Sequence, residues 1–321
     1  MTFVSSSPIV VRMRLGCVAL IVLCAACAAP RSQRPEPPAA EVRVEVARLR
    51  DRAFSLMLER ATRVTRIGER LRVAAADLCS GGLRPVLGVV AATEEDLVSL
   101  NLRPGQRRTK ASKRLEILWV EPGRAAARAG LSPGDKILML EGSEIESTAA
   151  LYAERDLPRE SLRLTIERGG LVHEVDVAHD RGCFAAASLI DDTRVGAYKT
   201  RTGIYATTGL VRTARSDDEL AIILGHEIAH FILGTGSEPE FESDADYLGL
   251  YLAARAGFDV SVAPGFWRRW AIRTPGMLRM DDLGFYTHPR SAERALALEA
   301  TIAEIRGKQA EQQPLSPETP E

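Results

Sequence analysis

"GHEIAHFILGTGSEPEFESDAD", residues 225–246, carries His226, Glu227 and His230, followed by Glu242 and Asp246. The chain has five histidines in 321 residues, and two of them stand here, four apart. Upstream, Ser216-Asp217-Asp218-Glu219 is a capping box of the form S-x-x-E. Leu220, Ile223, Leu224 and Ile228 recur at helical spacing behind it, and Gly234 stops the pattern. A second helix is expected over 240–256, "EFESDADYLGLYLAARA", closed by Gly257. Helical residues four apart lie one above the other. His226 and His230 therefore aim at one point, and Glu242 and Asp246 share one face of the next helix.

An H-E-x-x-H helix suits metal-assisted hydrolysis. The two imidazoles are candidate zinc ligands, and Glu227 flanks them as a candidate proton acceptor. A catalytic zinc takes three protein ligands and keeps an open position. Glu242 can supply the third, and Asp246 can hydrogen-bond a ligand histidine from behind. The alternative is a chance match beside a solvated acidic first turn. Against it, two imidazoles and a carboxylate among Ile and Leu are costly to bury unless they are satisfied.

The remaining chain has ordinary globular composition, 45% hydrophobic and 26% charged. Its length fits two modest domains. A net charge of -1 gives no global field favouring nucleic acid. Residues 12–29, "RMRLGCVALIVLCAACAA", read as an export signal, with Arg12 and Arg14 ahead of a short apolar run. "LCAAC" resembles a bacterial lipobox, which would put lipid on Cys27; the alternative is ordinary cleavage after Ala28. Residues 1–29 are thus the expected signal, 30–41 a Pro-rich linker, and 42–82 a long amphipathic helix with its terminus. The last stretch, 308–321, lacks apolar spacing and is expected to be disordered. Cys17 and Cys24 leave with the signal. An oxidising compartment then favours a Cys79–Cys183 disulfide over two buried thiols.

Residues 83–180 form a separate module. "VEPGRAAARAGLSPGDKI", 120–137, and the hairpin "SLRLTIERGGLVHEVDV", 161–177, resemble a PDZ domain of the bacterial protease type. That resemblance makes Val86, Leu87, Gly88 and Val89 the carboxylate-binding loop, where main-chain N–H groups would receive a peptide C-terminus. A spacer or lid is the other use of such a domain.

Residues 181–307 carry the order "DELA-x-x-x-x-HE-x-x-H", "E-x-x-A-D-x-x-G", "AG-[FY]-D" and "HP-x-x-x-x-R". It resembles the zinc metallopeptidases related to HtpX, BepA and the CAAX prenyl endopeptidases. The resemblance implies one zinc per chain on His226, His230 and Glu242, with Glu227 as base. It places His288 and Arg294 near the site, His288 as oxyanion stabiliser or latent fourth ligand; a helix-capping histidine before Pro289 is the alternative. It also makes Ile204, Tyr205 and Ala206 the strand that aligns an extended substrate, although Gly196-Ala197 replaces the family's usual Asn-Ala.

The expected fold is α+β: a zincin-like helical metalloprotease domain with a small edge sheet, plus an inserted β-rich PDZ domain. The expected function is a zinc endopeptidase of the bacterial cell envelope acting on polypeptide substrates. Peptide C-termini would dock at the PDZ domain, and lipid alone would provide the membrane tether. The expected location is a periplasm-facing lipoprotein, with a soluble periplasmic protein as the alternative. The rival function is an envelope chaperone or adaptor with a latched or vestigial site.

Overall fold

The computed structural model describes residues 36–79, 82–93, 114–147, 160–200, 203–234, 239–273 and 291–318. Cys27, His288 and the expected signal segment lie outside the described residues. The chain divides into two compact units, 1–47 and 48–321. The described part of the first, 36–47, becomes helical at Ala39. No described helix is long and apolar enough to cross a membrane.

The long helix α1 spans Ala39–Ala74, and its buried residues begin at Val64. Val64, Ile67 and Leu71 repeat at three and four, so one apolar stripe faces the core while Glu69 and Arg72 are buried beside it. Arg72 holds the strands that follow: its Nε donates to the Cys183 carbonyl at 2.6 Å and Nη2 to the Pro85 carbonyl at 3.3 Å. Those strands, β1 (Leu83–Val86) and β8 (Asp180–Cys183), pair antiparallel, Leu83 opposite Cys183. Cys79 and Cys183 are disulfide-bonded with Cα atoms 5.5 Å apart.

Between them lies an antiparallel sheet in the order β2 (Val89–Thr93), β3 (Leu115–Val120), β4 (Lys136–Leu140), β6 (Ser161–Arg168), β7 (Leu171–Ala178), with β5 (Ser143–Glu144) on β4. Among the described residues a short helix, α2 (Ala125–Arg128), covers it, as the alanine run suggests. Leu87, Ile117, Ile137, Leu162 and Ile166 belong to its own apolar cluster. The β6–β7 turn uses Gly169 at φ 59° and Gly170 at φ 83°, which only a two-residue primed turn requires.

The second cluster is mostly helical. A three-stranded sheet, β10 (Ala197–Lys199), β11 (Gly203–Thr207) and β9 (Ala186–Ile190), precedes α3 (Thr208–Thr213) and α4 (Asp217–Leu233). Then come α5 (Pro239–Arg255), a 3-10 turn at Val260–Val262, α6 (Ala263–Arg273) and α7 (Ser291–Ala310). The α+β reading holds for the described residues. β11, which holds Ile204, Tyr205 and Ala206, ends at Thr207, whose hydroxyl caps α3 by accepting from the Leu210 N–H at 3.0 Å. One local expectation needs correction. The tail expected without structure from 308 is helical to Ala310. It then folds back: Leu315 packs on the helical core, and the Glu318 N–H reaches the Tyr247 hydroxyl at 2.9 Å.

Candidate metal centre

Helix α4 is built as its sequence requires. The Ser216 hydroxyl accepts from the Glu219 N–H at 3.2 Å, while the Glu219 carboxylate takes the Arg215 N–H at 2.9 Å. Asp217, the first helical residue, is gripped by Arg63 at 2.7 Å and Arg66 at 2.6 Å from α1. Leu220, Leu224 and Ile228 are fully buried, each contributing about 1.5–3 kcal/mol. Gly234 ends the helix at φ 100°.

The crossing of α4 and α5 sets the geometry. A Cβ on Gly225 would sit 2.7 Å from the Gly249 carbonyl oxygen, and one on Gly249 would sit 2.7 Å from the His226 nitrogen. Two glycines therefore let the backbones touch at His226. The side chains around the crossing converge. His226 Nε2 lies 3.1 Å from His230 Nε2. One Glu242 oxygen is 3.3 Å from the former and the other 3.4 Å from the latter. Phe241 stacks on the His230 ring with centroids 5.5 Å apart.

Behind the ligands runs a buried chain of charge. His226 Nδ1 is 2.8 Å from Asp246 Oδ1, and the same oxygen accepts from Arg294 at 2.5 Å. The Arg294 guanidinium lies 3.3 Å from the centre of the Trp267 ring. Burial would raise the Asp246 carboxyl, but Arg294 and His226 hold it below the usual range. Burial would lower His226; the hydrogen bonds to Asp246 and Glu242 outweigh that and lift it to about 9. Glu227 is partly exposed, and burial lifts its carboxyl above the ordinary value against the pull of His226 and His230.

The residues fit a divalent ion. His226, His230 and Glu242 are all buried and offer three donor atoms within 4.8 Å of one another. The 3.1 Å nitrogen–nitrogen spacing is near the edge of about 3.3 Å that a tetrahedral zinc with bonds of about 2.0 Å requires. Asp246 occupies Nδ1 of His226, which leaves Nε2 to face the site. The same setting that holds a proton on His226 favours a cation.

Other expected site residues sit differently. Ile204, Tyr205 and Ala206 cannot be the substrate edge: β11 is the middle strand, with Tyr205 paired to Tyr198 on one side and Ser188 on the other. The edge beside the metal helix is β10, whose Lys199 ammonium donates to the His230 carbonyl at 3.1 Å and the Gly234 carbonyl at 2.9 Å. Val86, Leu87 and Val89 are buried. The Gly88 N–H donates to the Glu69 carboxylate of α1 at 3.0 Å. Burial raises the Glu69 carboxyl, while Arg72 and that N–H pull it down. Asp218 and Asp259, both in the motif order, meet away from the ligands, the Asp259 N–H donating to Asp218 at 3.0 Å. Trp267, Phe241 and Lys199 gave no sequence signal, since aromatic and basic residues on helices and strands are common.

Known proteins resemble parts of this chain. Residues 158–238 match Peptidase family M48, a stretch that contains His226, Glu227 and His230 and stops before Glu242. The chain is 24% identical over 237 residues to the mitochondrial metalloendopeptidase OMA1 of Arabidopsis thaliana, covering 59% of this chain and 48% of the relative. It therefore spans about half the length of that curated relative. Both findings support a metalloendopeptidase. Among solved structures, the HtrA3 PDZ domain bound to a phage-derived ligand aligns at 20% identity and a TM-score of 0.25, covering 31% of this chain and 88% of that one. The HtrA-type protease AlgW with a decapeptide aligns at 26% and 0.24, covering 31% and 30%.

Proposed function

We propose that the chain is a zinc-dependent endopeptidase of the bacterial cell envelope that cleaves polypeptides, and that its β-rich unit is a PDZ-type module for substrate or partner recognition. The observation that carries the enzymatic reading is the convergence of His226, His230 and the Glu242 carboxylate at one buried point. These three would hold one zinc ion, which supplies Lewis acidity at the scissile carbonyl.

The protein's own groups would do the rest. Asp246 and Arg294 fix the ring of His226. Glu227, next to the ligands, takes a proton from the attacking water and passes it to the leaving amine. An extended substrate would add to β10, the outer strand of the small sheet, by main-chain pairing. Export, a lipid on Cys27 and a periplasm-facing location complete the reading and rest on the N-terminal sequence.

The test is zinc content beside casein cleavage, wild type against Glu227→Gln. The variant should keep stoichiometric zinc and lose about 10²–10⁴ in rate. A wild-type chain without zinc, or a variant that cleaves normally, would overturn the reading.

A further inference from the structure

The loop at Val86–Val89 ends where β2 begins, and β2 is the terminal strand of its sheet among the described residues. A peptide added along β2 would bring its C-terminus to this loop, where a main-chain N–H must donate to the carboxylate. The structure already shows a carboxylate there. Glu69 Oε1 receives the Gly88 N–H at 3.0 Å, and Glu69 is only 4% exposed. Burial lifts the Glu69 carboxyl above its ordinary value, while Arg72, the Gly88 N–H and Arg124 pull the other way.

The contact is built into the backbone. Gly88 has φ +78°, and a Cβ there would lie 2.5 Å from Cβ of Arg124. The loop is closed on its other side too: the Leu87 carbonyl accepts from the Ala126 N–H at 2.9 Å, and the Gly88 carbonyl from the Glu121 N–H at 2.7 Å. One turn along α1, Arg72 fastens the helix to the β1–β8 ribbon, so Glu69 is presented by a fixed element.

We propose that Glu69 is an intramolecular ligand of this loop, a stand-in for a peptide C-terminus, and that an incoming C-terminal carboxylate binds by displacing it from the Gly88 N–H. The proposal rests on the reading of the β-rich unit as a peptide-capturing module. The chain is then self-occupied at rest, and recognition is a competition between two carboxylates.

Fluorescence anisotropy on the full chain tests this with a labelled pentapeptide ending in a free valine carboxylate and with its C-terminal amide. Glu69→Ala should bind the acid at least about tenfold more tightly than wild type, the factor carried by a charge-assisted hydrogen bond, with no gain for the amide. Glu69→Gln, which keeps an acceptor oxygen without the charge, should fall between them. Equal affinity of Glu69→Ala and a wild type that binds would overturn the competition and leave peptide capture standing. A gain shared by the amide would place the site elsewhere and sink the proposal. Binding of neither peptide by any of the chains would bring down the capture reading as well. If Glu69→Ala does not fold, an unchanged affinity of Glu69→Gln for the acid overturns the proposal.

Discussion

Gly225 and Gly249 face each other where the ligand-bearing helices cross, with room for no side chain on either. The atoms in the way are backbone, including the nitrogen of His226, so no rotamer change relieves a clash. Gly249→Ala is expected to cost about 1–3 kcal/mol. The helices would part, and zinc retention would fall with the thermal midpoint. Unchanged zinc stoichiometry after dialysis would show that the crossing does not set the ligand geometry.

Asp246 accepts from both His226 and Arg294 through one oxygen. Asp246→Asn keeps the shape and removes the charge, leaving Arg294 buried against a neutral amide. Zinc affinity, measured by chelator competition, should drop about 10–100-fold. Trp267→Leu removes only the ring beneath the guanidinium and leaves the Asp246–Arg294 ion pair and the His226 hydrogen bond intact, so it should cost less.

How much of this was legible depends on whether the signal was local. The limits of α4 were readable because Ser216 and Gly234 are terminators within one turn of the helix ends. The ligand trio was readable because four-residue spacing sets a common face. Strand order was not: nothing within Ile204–Thr207 reveals that the three-residue β10 lies outside it. The tail misled for a related reason. Leu315 stands alone in a polar stretch, yet it packs on the helical core, with the Lys308 ammonium on the Ser316 carbonyl and the Glu318 N–H on the Tyr247 hydroxyl. Glu69 was hidden because a glutamate is unremarked in an arginine-rich helix until its partner is known.

The turn at Asp135 predicts an acid sensitivity. Arg168 donates to Asp135 through Nε and Nη2, each at 2.6 Å, and the Ser132 N–H does so at 2.9 Å. Burial would raise this carboxyl, but those bonds outweigh it and hold it below the ordinary 3.8. A depressed value stabilises the fold when the group is ionised. The contribution is complete above about pH 4 and disappears as pH falls through the folded value. Asp135→Asn should be less stable than wild type at pH 7, and the gap should narrow as pH falls below about 4. Denaturant titrations at several pH values would show it; a gap independent of pH would refute it.

The Cys79–Cys183 bond spans 104 residues. Disulfides typically stabilise by about 2–4 kcal/mol, and the loop-entropy relation gives about 4.7 kcal/mol for a loop of about 100 residues. Reduction should lower the thermal midpoint while leaving the zinc ligands in place, because neither cysteine touches them. Loss of zinc on mild reduction would contradict that separation.

The β1–β8 ribbon has an architectural corollary. Because the chain departs at Leu83 and returns opposite it at Cys183, the intervening hundred residues hang from a single doorway. A short hairpin could close that doorway without rerouting any helix. The Glu69–Gly88 bond is the thread such an excision would cut, leaving the buried acid of the helix without that donor.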